Sequence, residues 1–455
     1  MSFLDTFLSS IPSIAPSPGQ HSFNDKLKWT GIVVLLYFFL TIVPIYGLES
    51  SVLAEFESVA AILGASFGTL ATLGIGPIVT ASIVLQLLKG SGIINLDTDT
   101  PEGKARFQSL QKVLAIFFIL FQSTMLVQLG GFTPAQGVNP LLLIAQLSLG
   151  GIFIVIMDEI VGKWGFGKGV SLFIAAGISQ QIFIALFNVL TQGGALPGVG
   201  AGGPAGRIPQ IIYLLFSGAA QAGQDLTRIF LVLLATAVVF LVAVYLQAMK
   251  VEIPLSFGRV RGHGMRWPLQ FLYANVIPII FIGAIVANLR LLGGVTGSGV
   301  IQAITPWLTA TTSSGQTVLA SIVQTGQFTW ELVGQTLTYL IFYSGGAAVF
   351  SVFWVQTSGM DAKSQAEKLM NSGMQIPGFR RDKRVVERIL QRYIGPLTIL
   401  GGITIGLLAG VADLTGAIGT GTGLLLTVMI LYRQYQQIAE ENLKSLNPMM
   451  RKVLE

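Results

Sequence analysis

Few residues in this chain can do chemistry, and those few are poorly placed for it. There are only two histidines, His21 and His263, and no cysteine. Nucleophile–base pairs and thiolate or imidazole metal sites have almost nothing to draw on, so no catalytic residue and no metal ligand is assigned. Aspartates and glutamates lie in connections or near the ends of apolar stretches, among them Asp158, Glu159, Glu331 and Asp413. Ion-coupled carriers usually place ionisable groups at mid-membrane, where they bind or relay the ion. None is found there, although backbone carbonyls can also hold sodium. Two Gly-rich runs, "GFGKG" (165–169) and "GTGTG" (419–423), follow no strand. Close helix packing or a helix boundary explains them better than phosphate binding. The chain does not read as an enzyme and calls for no cofactor.

What remains is positive charge. Arg259 and Arg261 lie in one long polar connection containing "KVEIPLSFGRVRGHGMRWPL", and Arg380, Arg381, Lys383 and Arg384 lie in another containing "GFRRDKR". Such residues orient a membrane chain and meet lipid phosphates. Alternatively, they form a docking surface for an acidic or nucleic-acid-rich partner. Both loops are longer than orientation alone requires.

The elements that carry these residues are membrane spans. The 455 residues are 52% hydrophobic and 11% charged, against about 25% charged in a soluble domain. The expected fold is an all-α polytopic membrane protein. Ten apolar stretches lie at 27–46, 70–89, 107–129, 139–160, 169–190, 226–248, 270–291, 332–356, 389–411 and 416–438. With a cytoplasmic N-terminus, all of the 27 Lys and Arg except Arg207, Arg228 and Arg290 fall on the cytoplasmic side. Both termini are therefore expected there, in a cytoplasmic membrane.

The outer connection at 191–209, "TQGGALPGVGAGGPAGRIP", separates two sets of five spans. Five is odd, so the second set runs through the membrane in the opposite sense, the topological condition for an inverted repeat. That repeat is inferred from topology, since no residue-level similarity between the halves is evident. The expected divisions are an N-terminal segment at 1–26, a first half at 27–190, an outer hinge connection at 191–225, a second half at 226–438 and a tail at 439–455. Cytoplasmic loops fall at about 249–269 and 357–388. The opening residues, "MSFLDTFLSSIPSIAPSPGQ", lack the basic start and long apolar core of a cleavable signal. Their apolar spacing suggests a short interfacial helix or, equally, a frayed terminus.

One stretch does not fit its neighbours. "SVLAEFESVAAILGAS" (51–66) has helical periodicity and two glutamates, Glu55 and Glu57. As a helix it would be about 24 Å long, short for a hydrocarbon core of about 30 Å. It either lies flat in the outer interface or folds back into a water-filled cavity of the bundle.

Four stretches of this chain, "TLGIGPIVTASIVLQLLKGSGII" (from 72), "GKGVSLFIAAGISQ" (167–180), "EIPLSFGRVRG" (252–262) and "GTGLLLTVMILYRQY" (421–435), resemble the SecY family, the large subunit of the Sec protein-conducting channel. The details are closer to archaeal and eukaryotic members than to bacterial ones, and the resemblance covers essentially the whole chain. It implies two inverted five-helix halves around a central hourglass pore, with 51–66 as a re-entrant plug helix whose Glu55, Phe56, Ala60 and Leu63 occupy the outer funnel. It implies an aliphatic pore ring of Ile75, Val79, Val170, Ile174, Ile280 and Leu426, and a lateral gate with polar residues at Thr80, Gln122 and Asn288. Arg259, Arg261, Arg380 and Arg381 become ribosome-docking residues. The implied partners are SecE-type and beta-type small subunits in a heterotrimer, a ribosome with its nascent chain or a cytosolic motor, signal sequences and the lipid bilayer. The competing function is an inverted-repeat secondary transporter, which would need a mid-span ion or substrate site.

Overall fold

A computed structural model describes residues 14–15, 22–49, 68–90, 93–94, 100–128, 132–191, 203–217, 222–257, 264–274, 276–283, 285–286, 299–310, 318, 321–322, 329–371, 374–375, 382–419 and 421–446. The plug stretch 51–66, both histidines, Asn288 and the four docking arginines lie outside them. The elements, in chain order, are α1 (Phe23–Ile42), α2 (Gly76–Gly90), α3 (Pro101–Gln128), α4 (Pro140–Trp164), α5 (Gly169–Phe187), α6 (Arg207–Ser217), α7 (Ala222–Ala248), β1 (Lys250–Phe257), β2 (Gly264–Gln270), α8 (Gly299–Leu308), α9 (Trp330–Thr357), α10 (Ala362–Asn371), β3 (Met374–Gln375), α11 (Lys383–Leu414) and α12 (Gly421–Leu446). A short helix over 277–283 lies between β2 and α8.

Among the described residues, six helices are long and apolar enough to cross a membrane: Ala105–Gln128, Pro140–Trp164, Gly169–Phe187, Gly223–Ala248, Trp330–Asn371 and Lys383–Leu414. The fifth is divided by a turn at 358–361 into α9 and α10. Helix also occupies the other four expected places, but it is shorter or more polar there. α1 opens with Asp25, Lys26 and Lys28, α2 has only 15 residues, and the later half of α12 carries Arg433 and a run of glutamines.

The chain forms two compact units, Met1–Gln181 with Ile430–Glu455, and Ile182–Met429. In the first, α1 starts at Ser22, whose hydroxyl accepts the Asp25 N–H at 3.2 Å. α4 starts at Asn139–Pro140, the Asn139 side chain accepting the Leu141 N–H at 2.9 Å. The adjoining ends of α3 and α4 are fastened by Glu159, which pairs with Lys112 at 2.6 Å and Lys163 at 2.8 Å. The same carboxylate accepts the Ile14 N–H at 3.1 Å, so the chain just before α1 is held against α4.

In the second unit, α11 carries small residues at four-residue spacing, and its partner is α9. A Cβ on Gly402 would lie 2.8 Å from Ala348 Cα, one on Gly406 2.7 Å from Ser344 Cα, and one on Gly410 2.8 Å from Leu340 Cδ2. Without side chains at these places the two backbones meet directly, and dispersion replaces the hydrophobic drive that lipid cannot supply.

Within the loop expected at 249–269, Lys250–Phe257 and Gly264–Gln270 are paired strands. β1 pairs antiparallel with β2 from Lys250↔Gln270 to Ser256↔Gly264, and with β3 at Ser256↔Gln375 and Phe257↔Met374, giving the order β2-β1-β3. Glu252 and Arg266 point out and pair at 2.9 Å, while Ile253 and Leu269 point in. Their buried partners are Ala362, Ala366 and Leu369 of α10 and Val386, Leu390 and Ile394 of α11. The two basic loops therefore share one apolar core rather than projecting separately.

Candidate functional site

Each residue of the expected ring stands at or just inside the start of a helix. Ile75 ends a turn over 69–75 in which the Thr69 N–H donates to Thr72 Oγ1 at 3.1 Å and Gly74 adopts φ +52°. Pro77 is the second residue of α2, where its fixed φ suits a first helical turn and its missing N–H costs nothing. The Val79 N–H donates back to Ile75 O at 3.0 Å. Support comes from α4, where Gly150 approaches so closely that any Cβ would strike the Leu70 carbonyl. Ile75 is buried, and Val79 is half-buried.

The second unit repeats this arrangement. Val276 precedes the helix at 277–283, Pro278 is its second residue, and the Ile280 N–H donates to Val276 O at 3.2 Å. In sequence the two places read "IGPIV" (75–79) and "VIPII" (276–280). Ile280 thus matches Val79, and Val276, half-buried like Ile280, matches Ile75. Span periodicity missed Val276. The repeated Pro between aliphatic residues was the signal that could have found it.

α5 and α12 form a second matched pair, and they start at the two Gly-rich runs. Gly167 (φ +74°) precedes Gly169, the first residue of α5, as Gly419 (φ +79°) precedes Gly421, the first residue of α12. Each start is met by an aspartate from the end of the previous helix. Asp158 of α4 accepts the Val170 N–H at 2.8 Å, and Asp413 of α11 accepts the Gly421 N–H at 2.7 Å. A carboxylate suits this place because it accepts N–H groups that have no partner within the helix and faces the positive end of its dipole. The contacts leave no room for a side chain. A Cβ on Gly169 would lie 2.5 Å from Asp158 Cα, and one on Gly421 would collide with Ala412 Cβ and lie 2.5 Å from Asp413 N. Ile174 and Leu426 each stand five residues after the starting glycine, and both are buried. Val170 is matched by Thr422, whose hydroxyl bonds to Asp413 Oδ2 at 3.1 Å and to Tyr343 Oη at 2.7 Å.

Of the expected gate residues, the Thr80 hydroxyl donates to Gly76 O of its own helix at 2.9 Å, and Gln122 is half-buried on α3. Beside Gln122, buried Ser123 accepts a hydrogen bond from Ser148 of α4 at 3.1 Å, a polar contact between helices that the sequence did not reveal. The ends of the plug stretch are described although the stretch is not. Pro44 bridges Thr69 antiparallel, and the Ile45 N–H donates to Gly68 O at 2.9 Å. The Glu49 N–H donates to Thr133 O at 2.9 Å. The backbone before residues 50–67 is thus tied to 133–134, and the backbone after them to Pro44 and Ile45.

The SecY family profile matches residues 69–435, and that of the plug domain of Sec61p matches residues 35–68. The protein translocase subunit SecY of Methanothermobacter thermautotrophicus is 44% identical over 99% of this chain and 98% of its own. Among solved structures, a SecY channel whose plug domain stabilises the closed state and maintains a membrane seal superposes with a TM-score of 0.74 at 34% identity, covering 98% of each chain. Sec61 in the canine ribosome-channel complex from the endoplasmic reticulum superposes with a TM-score of 0.74 at 33% identity, again covering 98% of each chain. Profile, relative and structures agree, and the chain belongs to the SecY family.

Proposed function

We propose that this chain is the channel-forming subunit of a Sec-type protein translocase. It is a multi-pass protein of the cytoplasmic membrane with ten spans and both termini cytoplasmic. It passes unfolded secretory polypeptides across the membrane and releases apolar helices sideways into lipid. The observation that carries this reading is that all six ring candidates fall at two matched kinds of helix start, in a chain that belongs to this family along its whole length.

The residues suit the task. A conduit for unfolded chains must admit every side chain yet resist ions at rest. A collar of Ile75, Val79, Val170, Ile174, Ile280 and Leu426 dewets when empty and offers no polar group to hold a passing chain. Residues 51–66, with Glu55, Phe56, Ala60 and Leu63, block the outer funnel. Thr80, Gln122 and Asn288 form polar contacts at the lateral seam that are lost when it opens. Arg259, Arg261, Arg380 and Arg381 meet ribosomal RNA phosphate. The driving force comes from the docked partner, since no residue here supplies it, and the working unit includes SecE-type and beta-type small subunits.

The test is photo-crosslinking from a probe at Ile75 or Ile280 to a stalled secretory nascent chain, with the heterotrimer reconstituted and ribosome-bound. Crosslinks that move along the nascent chain as it lengthens are expected. Their absence despite confirmed docking would overturn the ring assignment.

A further inference from the structure

Asp158 and Asp413 are acids within a chain that keeps ionisable groups out of its spans, and the expected function gives neither a role. Both stand where one span turns into the next, and both do the same thing. Each carboxylate accepts the N–H group at the start of the following helix, at 2.8 and 2.7 Å. At each, a glycine presses that start against the acid's own backbone. Two half-buried acids that each hold a helix start, at equivalent turns of two halves, call for a common cause.

The helices they seat are α5 and α12, the bearers of Ile174 and Leu426. Five residues separate each ring residue from its starting glycine, about 7.5 Å of helix rise. A helix is stiff over that length. An axial slip or rotation at the seat is therefore carried undiminished to the ring side chain. We propose that Asp158 and Asp413 are positioning residues for the pore ring, each fixing the height and rotation of one ring-bearing helix from the end of the preceding span. The inference rests on the channel reading above.

The second seat has a further connection. The Tyr339 hydroxyl donates to Asp413 Oδ2 at 3.1 Å, the Thr422 hydroxyl donates to the same oxygen, and Tyr343 bonds to Thr422. Both tyrosines belong to α9, so a movement of α9 reaches the helix that bears Leu426 through hydrogen bonds as well as packing. Asp413 is thus the seat at which a change in α9 alters the ring.

The experiment is the resting ion conductance of the reconstituted heterotrimer in planar bilayers. Asp158→Ala and Asp413→Ala are expected to raise it roughly tenfold, the shift in a closed–open equilibrium set by losing one helix cap. Asp158→Asn keeps an oxygen that accepts the N–H and is expected to restore it to near the parent value. Asp413→Asn keeps that acceptor but replaces the oxygen that accepts the Tyr339 and Thr422 hydroxyls, and is expected to restore it only in part. Ser22→Ala and Asn139→Ala remove caps that seat no ring-bearing helix and are expected to lower thermal stability without leakage. Ile174→Gly and Leu426→Gly open the ring directly and separate the two readings. Leakage from these without leakage from the aspartate variants overturns the positioning role and leaves the ring in place. No leakage from any variant overturns the ring itself. Leakage from Ser22→Ala and Asn139→Ala equal to that of the aspartate variants also overturns the positioning role, because any lost cap would then suffice. Where an alanine variant fails to assemble, Asp158→Glu or Asp413→Glu makes the same comparison. Each keeps the charge but displaces the carboxylate by one methylene, and leakage is again expected.

Discussion

At the scale of single residues, the most constrained positions are glycines that look unremarkable in sequence. Gly169 and Gly162 are seven residues apart, yet they meet opposite surroundings. A Cβ on Gly169 would sit 2.5 Å from Asp158 Cα, whereas nothing lies within 4 Å of one on Gly162. Gly169→Ala is expected to destabilise the protein by about 1–3 kcal/mol through overpacking. Gly162→Ala, exposed in the last turn of α4, is expected to be neutral or stabilising by up to about 0.5–1 kcal/mol. Thermal unfolding of the purified variants in detergent separates the two; equal melting temperatures would mean that α5 does not seat on Asp158. The sequence left 165–169 and 419–423 open between close helix packing and a helix boundary, and the structure begins α5 and α12 there. It could not show which acid meets each boundary. Asp158 lies 11 positions before Gly169 and Asp413 only 8 before Gly421, so no common spacing connects them.

At the scale of elements, packing between α9 and α11 depends on the absence of side chains. Gly402, Gly406 and Gly410 recur every four residues, which places them on one face of α11. A side chain at Gly406 would meet Ser344 Cα at 2.7 Å and the Cβ of fully buried Ala347 at 2.9 Å. Gly406→Leu is therefore expected to part the two helices and lower stability by about 1–3 kcal/mol or more. Limited proteolysis within 357–388 should accelerate as α11 loosens, and an unchanged digestion rate would show that α9 and α11 do not depend on this contact. The hairpin was less legible. "KVEIPLSF" alternates Val251, Ile253 and Leu255 with polar or imino residues, a period-two pattern that reads as a half-buried strand. Reading 249–269 as a basic loop set charge above that alternation. α10 was hidden for a related reason: its buried face is only Ala362, Ala366 and Leu369, too small to stand out in composition.

At the scale of the whole molecule, the two units each contain both kinds of helix start at which the proposed ring residues fall. The inverted repeat inferred from an odd span count thus acquires residue-level content in "IGPIV" and "VIPII", and in the two acid-seated glycines. The plug reading belongs to this scale, because the described backbone on either side of residues 50–67 is held by hydrogen bonds within the first unit. An excursion with tied ends can be removed without cutting the bundle. Deleting 51–66 is expected to raise resting ion conductance in planar bilayers while leaving the heterotrimer assembled. Unchanged conductance would count against the plug assignment.

The sequence by itself determined that this is a multi-pass membrane protein and which family it resembles. Those properties follow from local composition and from the cost of placing charge in hydrocarbon, both of which are additive along a chain. Only the tertiary structure decided that the two basic loops share a core and that Asp158 and Asp413 seat the helices bearing Ile174 and Leu426. Each of those facts depends on which backbone approaches which. That is set by close packing between segments whose separation in sequence follows no fixed period.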